Sequence, residues 1–270
     1  MIMSLIDLKN INFSYQKSKA GTPDFFLESI NLSVESGEFI SILGPNGSGK
    51  STLLKLISGV LKPLSGDISL KSTSYGRISK RDLARTIAFV PQSALSVFPF
   101  SIFEIVMMGR TPYLNMVGYE NHSDIDLVNE ALEMVDIAHL RNKGINEVSG
   151  GEAQRAFIAR AIVQQPEVIL LDEPNAHLDI KHQLSIFDLI RELNIKKNLT
   201  VITVSHDLNL AGFYSKRIVL MKQGRIFKDD KAEKILTREN IHSVFDVDSS
   251  IVKNAGSALI NVLIKPAHLQ

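Results

Sequence analysis

The hydrophobic pattern of the first forty residues is strand-like, in three pieces: Ile6–Phe13, Phe25–Val34 and, after a Ser-Gly turn, Glu38–Leu43. It becomes helical at Lys50 and stops near Gly59, a residue suited to follow a helix end. Residues 66–90 read as short strands around a small helix at Lys80–Arg85. From Ser101 to Ile162 nearly everything is helical. Ser123 and Asp126 stand there at capping-box spacing, with Ile125, Val128, Leu132 and Val135 on one face. Two strands without polar alternation follow, Val168–Leu171 and Leu199–Val204, separated by a helix at about Lys181–Leu193. Apolar strands alternating with helices predict a parallel sheet covered on both faces. "RIVLMKQGRIFKDD" predicts a hairpin turning at Gln223-Gly224, and 231–270 gives only a weak helix–strand pattern.

Composition narrows the class without naming it. The 270 residues are 44% hydrophobic and 22% charged, with a net charge of +1. That is an ordinary globular balance, with no bulk pull toward nucleic acid or anionic lipid. Cysteine is absent, which excludes disulfides, thiolate metal sites and Cys nucleophiles. "MIMSLIDLKN" has no basic region ahead of an apolar block, so no secretion signal is expected. Apolar runs such as Val168–Leu171 fall far short of the ~20 residues a membrane span needs, so any membrane role is expected to be peripheral.

The strongest chemical signal is "FISILGPNGSGKSTLLKLI". Gly44, Gly49, Lys50 and Ser51 match G-x-x-x-x-G-K-[ST] between an apolar strand and a helix. Glycines let backbone N–H groups curl around phosphates, and the helix that follows presents its positive end. Across Gly44, Pro45, Asn46, Gly47, Ser48, Gly49, Lys50, Ser51 and Thr52 the pattern predicts an ATP-phosphate cradle, with Lys50 expected on the β- and γ-phosphates and the Ser51 hydroxyl on Mg²⁺.

Three later strand ends complete the expectation. "PEVILLDEP" ends in Asp172, placed to hold Mg²⁺, and Glu173, placed to polarise the attacking water. "LTVITVSHD" ends at Ser205-His206, which would bring His206 to the same γ-phosphate. Gln92 in "FVPQSA" follows a strand in the same way and would reach Mg²⁺ or water. Tyr15 in "NFSY" has a ring able to stack on a flat base, although an aromatic near a strand end serves equally well as core.

"EVSGGEAQRAFIARAI" begins a helix whose first turn contains Gly150 and Gly151, each costing roughly 0.5–1 kcal/mol against alanine. Ala153, Ala156, Phe157 and Ala161 form its apolar stripe. Ser149 and Glu152 account for a capping box, but a capping box gains nothing from two glycines between them. Exposed N–H groups, a hydroxyl and no side-chain walls make a second phosphate site. One cradle already serves the chain's own nucleotide. The economical arrangement is therefore a symmetric head-to-tail pair, this helix capping the ATP held by a partner copy.

Taken together the motifs resemble those of the ATP-binding-cassette (ABC) ATPases over nearly the whole chain. "GPNGSGKST" resembles their Walker A motif, "VPQ" the Q-loop, "VSGGE" the signature, "VILLDEP" Walker B, "NAHLD" the D-loop and "VSHD" the H-loop. Val148 stands where the signature has Leu, and Asn175 where the D-loop has Thr or Ser. The resemblance implies an α/β P-loop NTPase (RecA-like) core with a mostly parallel sheet, an N-terminal antiparallel β subdomain and an inserted α-helical subdomain. It implies one domain: 1–93 and 163–222 as β subdomain and core, 94–162 as the helical signature part, and 223–270 as hairpin and tail. Tyr15 falls at the adenine-stacking position, Ser51, Gln92 and Asp172 at Mg²⁺, and Glu173, His206, Lys50 and Gln92 at the catalytic positions. Ser149, Gly150, Gly151 and Glu152 would bind ATP in trans, with His177, Leu178 and Asp179 at the dimer seam.

"FPFSIFEIVMMGRTPY" and "LTRENIHSVFDVDSSIV" look like the ATPase subunits of importers for ferric siderophores, haem and vitamin B12, with molybdate importers as relatives. By that likeness the chain works as a homodimer beneath two copies of a polytopic permease, at the cytoplasmic face of the membrane. A periplasmic or surface binding protein delivers the substrate. Two other readings are an exporter or other nutrient importer, and a soluble ABC ATPase acting on nucleic acid. The last is disfavoured by neutral charge and by the lack of a second cassette or long coiled-coil insertion.

Overall fold

The strands in the computed structural model follow from where apolar residues must be buried. The structure describes residues 4–15, 26–92, 99–114, 122–174, 178–253 and 260–265. By packing, the chain divides into two units, Met1–Arg77 with Ile202–Gln270, and Ile78–Val201.

In the first unit β1 (Ile6–Ser14) and β2 (Phe26–Val34) alternate buried and exposed positions, interrupted by bulges, and pair antiparallel from Ile6 opposite Val34. β3 (Phe39–Leu43) is buried at every residue and leads into α1 (Lys50–Ile57). α1 buries Leu53, Leu54, Leu56 and Ile57, and ends where Gly59 takes the left-handed conformation at φ 75°. β4 (Ser65–Leu70) and β5 (Thr73–Ser74) complete an antiparallel sheet of order β2-β1-β4-β5.

The second unit opens with α2 (Lys80–Thr86), capped by Ser79, and β6 (Ile87–Val90). α3 (Ile102–Met107) carries a capping box from Ser101 and Glu104 and runs into a 3₁₀ turn at Met108–Tyr113. α4 (His122–Met134) already includes Ser123, so the expected Ser123–Asp126 capping box does not start this helix; Val128 and Leu132 are buried on its inner side. α5 (Gly150–Val163) packs against α3, α4 and β6. β7 (Val168–Asp172), buried throughout, pairs parallel with β6 in the register Val90 to Leu171. α6 (Ile180–Lys197) runs one turn longer than the sequence pattern predicts.

β8 (Thr200–Val204), also buried at every residue, leads back into the first unit, followed by α7 (Leu208–Tyr214). β9 (Arg217–Lys222) lies parallel to β3 and antiparallel to β10 (Arg225–Lys231), so that β10, β9, β3 and β8 run side by side. The hairpin turns at Gln223-Gly224, both at positive φ. The tail is ordered into α8 (Ala232–Ile235), α9 (Arg238–Phe245) and an antiparallel pair, β11 (Ser249–Lys253) with β12 (Ile260–Ile264). Leu236, Ile241, Val244, Ile260 and Val262 close a cluster over Leu43, Ile218 and Leu220. None of the described helices is long and apolar enough to cross a membrane.

Candidate functional site

The loop between β3 and α1 is built around backbone approaches that exclude side chains. A Cβ on Gly44 would lie 2.3 Å from the Met221 carbonyl oxygen and 2.7 Å from Ser48 Oγ. Gly49, at φ 103°, is the N-cap of α1 and supplies no capping side chain, and the first turn contains no acid. N–H groups of a helix's first turn have no intrahelical acceptor, so this end attracts anions. Lys50 is only 5% exposed, its Nζ donating to Gly44 O at 2.9 Å and Pro45 O at 3.0 Å. Ser48 Oγ is buried without a hydrogen-bond partner, a costly state that an incoming acceptor would relieve. Gly224 N–H donates to Ser48 O at 3.2 Å, tying the β9–β10 hairpin to the loop.

Two further predicted residues lie beside this cradle within the same unit. The Tyr15 hydroxyl is 3.1 Å from Thr52 Oγ1 of α1, while its ring, 52% exposed, meets Phe13 edge-on at 5.0 Å. His206 follows Ser205, whose N–H donates to Ile42 O at 3.3 Å. That bond sets the end of β8 level with the end of β3, just before Gly44. His206 is exposed, and Asp207 next to it caps α7 through Asn209 N and Leu210 N.

In the second unit the parallel register of β6 and β7 brings together residues 81 positions apart. Gln92 and Glu173 each stand two residues beyond the Val90–Leu171 pair, and Gln92 Nε2 donates to Glu173 Oε2 at 2.6 Å. Asp172 is buried at the strand end. Glu173 is held at φ +49°, a conformation costing about 1–3 kcal/mol for a non-glycine residue and concentrated at functional sites.

At the start of α5 Ser149 Oγ accepts from Glu152 N at 3.3 Å, and Glu152 Oε2 accepts from Ser149 N at 2.7 Å and from Ser149 Oγ at 2.8 Å. The Ser149 N–H, then its hydroxyl, hold the Glu152 carboxyl below its ordinary value. Ser149 and Gly150 are exposed. A Cβ on Gly151 would come within 2.9 Å of Leu178 Cδ2, a contact a leucine tip can yield to. Packing at Gly151 therefore does not by itself require a glycine. Asp179 caps α6, accepting from His182 N at 2.9 Å and pairing with His182 Nδ1 at 2.8 Å. His177 and Asn175 lie outside the described residues.

Sequence reasoning missed the Met221 carbonyl and Gly224 as parts of the cradle's wall. Only strand order reveals that β9 neighbours β3. It also missed a buried ion pair in the helical segment, Arg110 with Asp124.

Comparison with known proteins gives a consistent answer. A model of the ABC transporter family matches residues 27–176. The hemin import ATP-binding protein HmuV of Hahella chejuensis is 40% identical over 233 residues, 84% of this chain and 89% of that protein. The solved structure of a metal-chelate type ABC transporter in an inward-facing conformation superposes with a TM-score of 0.84 at 28% identity, covering 99% of this chain and 100% of that one. A dimeric bacterial ABC transporter cassette superposes with a TM-score of 0.74 at 31% identity over 84% of this chain and 98% of that one.

Proposed function

The chain belongs to the ABC transporter family, and from that premise we propose that it is the ATP-hydrolysing subunit of an importer for metal chelates. The class comprises ferric siderophores, haem and cobalamin, with the oxyanion molybdate as a related substrate. The observation that carries the ATP site is the cradle: glycine-only approaches at Gly44, an uncapped α1 N-terminus, and buried Ser48 Oγ without a partner. These fit a triphosphate. The chelate class rests on the hemin and metal-chelate proteins the chain resembles.

In this reading the loop amides and Lys50 bind the β- and γ-phosphates, Tyr15 stacks on adenine, and Ser51, Asp172 and Gln92 hold Mg²⁺. The hydroxyl, carboxylate and amide oxygens of those three residues suit a hard cation, which would offset phosphate charge when bound. Glu173 takes a proton from water as the water oxygen bonds to the γ-phosphorus and the bond to ADP breaks. Lys50 and His206 stabilise charge on the γ-phosphoryl oxygens. Gln92 Nε2 engages one carboxylate oxygen of Glu173 and so orients the group, and a carboxylate has a second oxygen with which to take that proton. Two copies enclose ATP head to tail, each adding Ser149, Gly150, Gly151 and Glu152 to the other's cradle, with Leu178, Asp179 and His177 at the seam. Closing and reopening of the pair drive two copies of a membrane permease, which the helical segment 94–162 contacts at the cytoplasmic face. A separate binding protein delivers the chelate.

The test is Glu173→Gln. A positioned base is worth about 10²–10⁴ in rate, so the variant binds ATP, accumulates as an ATP-bound dimer and loses hydrolysis by that factor. Hydrolysis at the wild-type rate by Glu173→Gln would refute the assignment.

A further inference from the structure

The helix that begins with Ser149 is anchored at its opposite end by a buried cation that the catalytic reading does not use. Arg110 is 7% exposed and its partner Asp124 likewise 7%, with Nε donating to Asp124 Oδ1 at 2.8 Å. The same guanidinium reaches the last turn of α5: Nη1 donates to Val163 O at 2.9 Å. The Tyr113 hydroxyl donates to Gln164 O at 3.0 Å, and the Arg110 guanidinium lies 3.9 Å from the centre of the Tyr113 ring. Between these contacts the backbone of the 3₁₀ turn touches the helix directly, since a Cβ on Gly109 would sit 2.2 Å from Arg160 O.

The terminal carbonyls of a helix have no intrahelical donors and carry the negative end of its dipole. A guanidinium on one and a phenol on the next satisfy both needs. Because the guanidinium also holds Asp124 of α4, it fixes α5 to α4 and to the 3₁₀ turn with one planar group, whose donors sit on separate nitrogens in a fixed fork that a lysine's single nitrogen does not reproduce. An α-helix of 14 residues is stiff over about 20 Å, so its C-terminal anchor sets the aim of its N-terminus.

We propose that Arg110 is a positioning residue for the signature helix, fixing the orientation in which Ser149–Glu152 meet a second copy's ATP. The inference rests on the head-to-tail reading above. It adds that pairing strength is controlled from the far end of α5, by a residue that touches no nucleotide.

The decisive variant is Arg110→Met with Asp124→Leu, placed in the Glu173→Gln background. Replacing both partners of a buried pair with apolar residues generally preserves folding, whereas removing one strands a charge. The double replacement is expected to fold, melting somewhat below its parent because Val163 O loses its donor, and to bind a fluorescent ATP analogue on the single chain with unchanged Kd. Its ATP-dependent dimerisation weakens at least about tenfold, equivalent to ~1.4 kcal/mol. Arg110→Lys falls between, keeping charge but not the planar set of donors. Parent-like dimerisation by the double replacement would overturn the inference, and so would equal losses in single-chain ATP binding and dimerisation, which would mark a general packing defect. If Glu173→Gln itself fails to dimerise with ATP, the head-to-tail reading fails first and takes this inference with it.

Discussion

Ser149 has an observed role as helix cap and a proposed one toward phosphate, and one substitution can separate them. As N-cap it bonds Glu152 N, and aspartate serves that position about as well as serine. A carboxylate there would also face the phosphates proposed to come from the partner. Ser149→Asp keeps an acceptor for Glu152 N but loses the hydroxyl that donates to Glu152 Oε2 and sets a second carboxylate beside it, so it is expected to cost about 1 kcal/mol of unfolding free energy. It should lower hydrolysis about 10²–10³-fold, the usual cost of one donor aimed at developing charge. Urea melts and steady-state rates on the same preparation check both halves, and retained activity would reduce the serine to a helix cap. Most residues of the proposed cradle were legible as candidates because the chemistry asked of them dictates their type: glycine for approach, lysine for charge, serine for a hydroxyl. Met221 and Gly224 were not, because a carbonyl and an amide act whatever the side chain, and only the fold reveals where they point.

At the level of single elements, capping carboxylates make the helices sensitive to acid. Glu104 is held below its ordinary carboxyl value by the Ser101 N–H and then its hydroxyl, and Asp179 by the His182 N–H and then its side chain. Glu152 behaves alike. A folded-state pKa below the unfolded one contributes stability in full above the unfolded value, roughly 4, and loses it as pH falls through the folded value. Unfolding free energy should thus hold steady for these groups from neutral pH to about 5 and decline below about 4. Glu104→Gln should flatten part of that decline in urea melts, and identical acid limbs would contradict the assignment. Element types were readable from apolar spacing, as β3, β7 and β8, buried at every residue, illustrate. The tail was not. α8 is a single turn, and β12 and β11 pack against α7 and α9, joining a cluster that includes Leu43, Ile218 and Leu220 from distant strands. The α4 start was misplaced because Ser123 satisfies a spacing rule while the helix already includes His122.

For the whole molecule, the central claim is that one chain supplies half of each working site. The two glycines after Ser149 are the sequence feature that motivates it, since capping requires neither and the Leu178 contact at Gly151 is with a side-chain tip. The most direct test follows ATP hydrolysis per chain across a dilution series while recording mass by sedimentation in the same samples. Composite sites predict a specific rate that climbs with protein concentration and levels off as the dimer forms. A constant specific rate in samples that sediment as monomers would contradict the account.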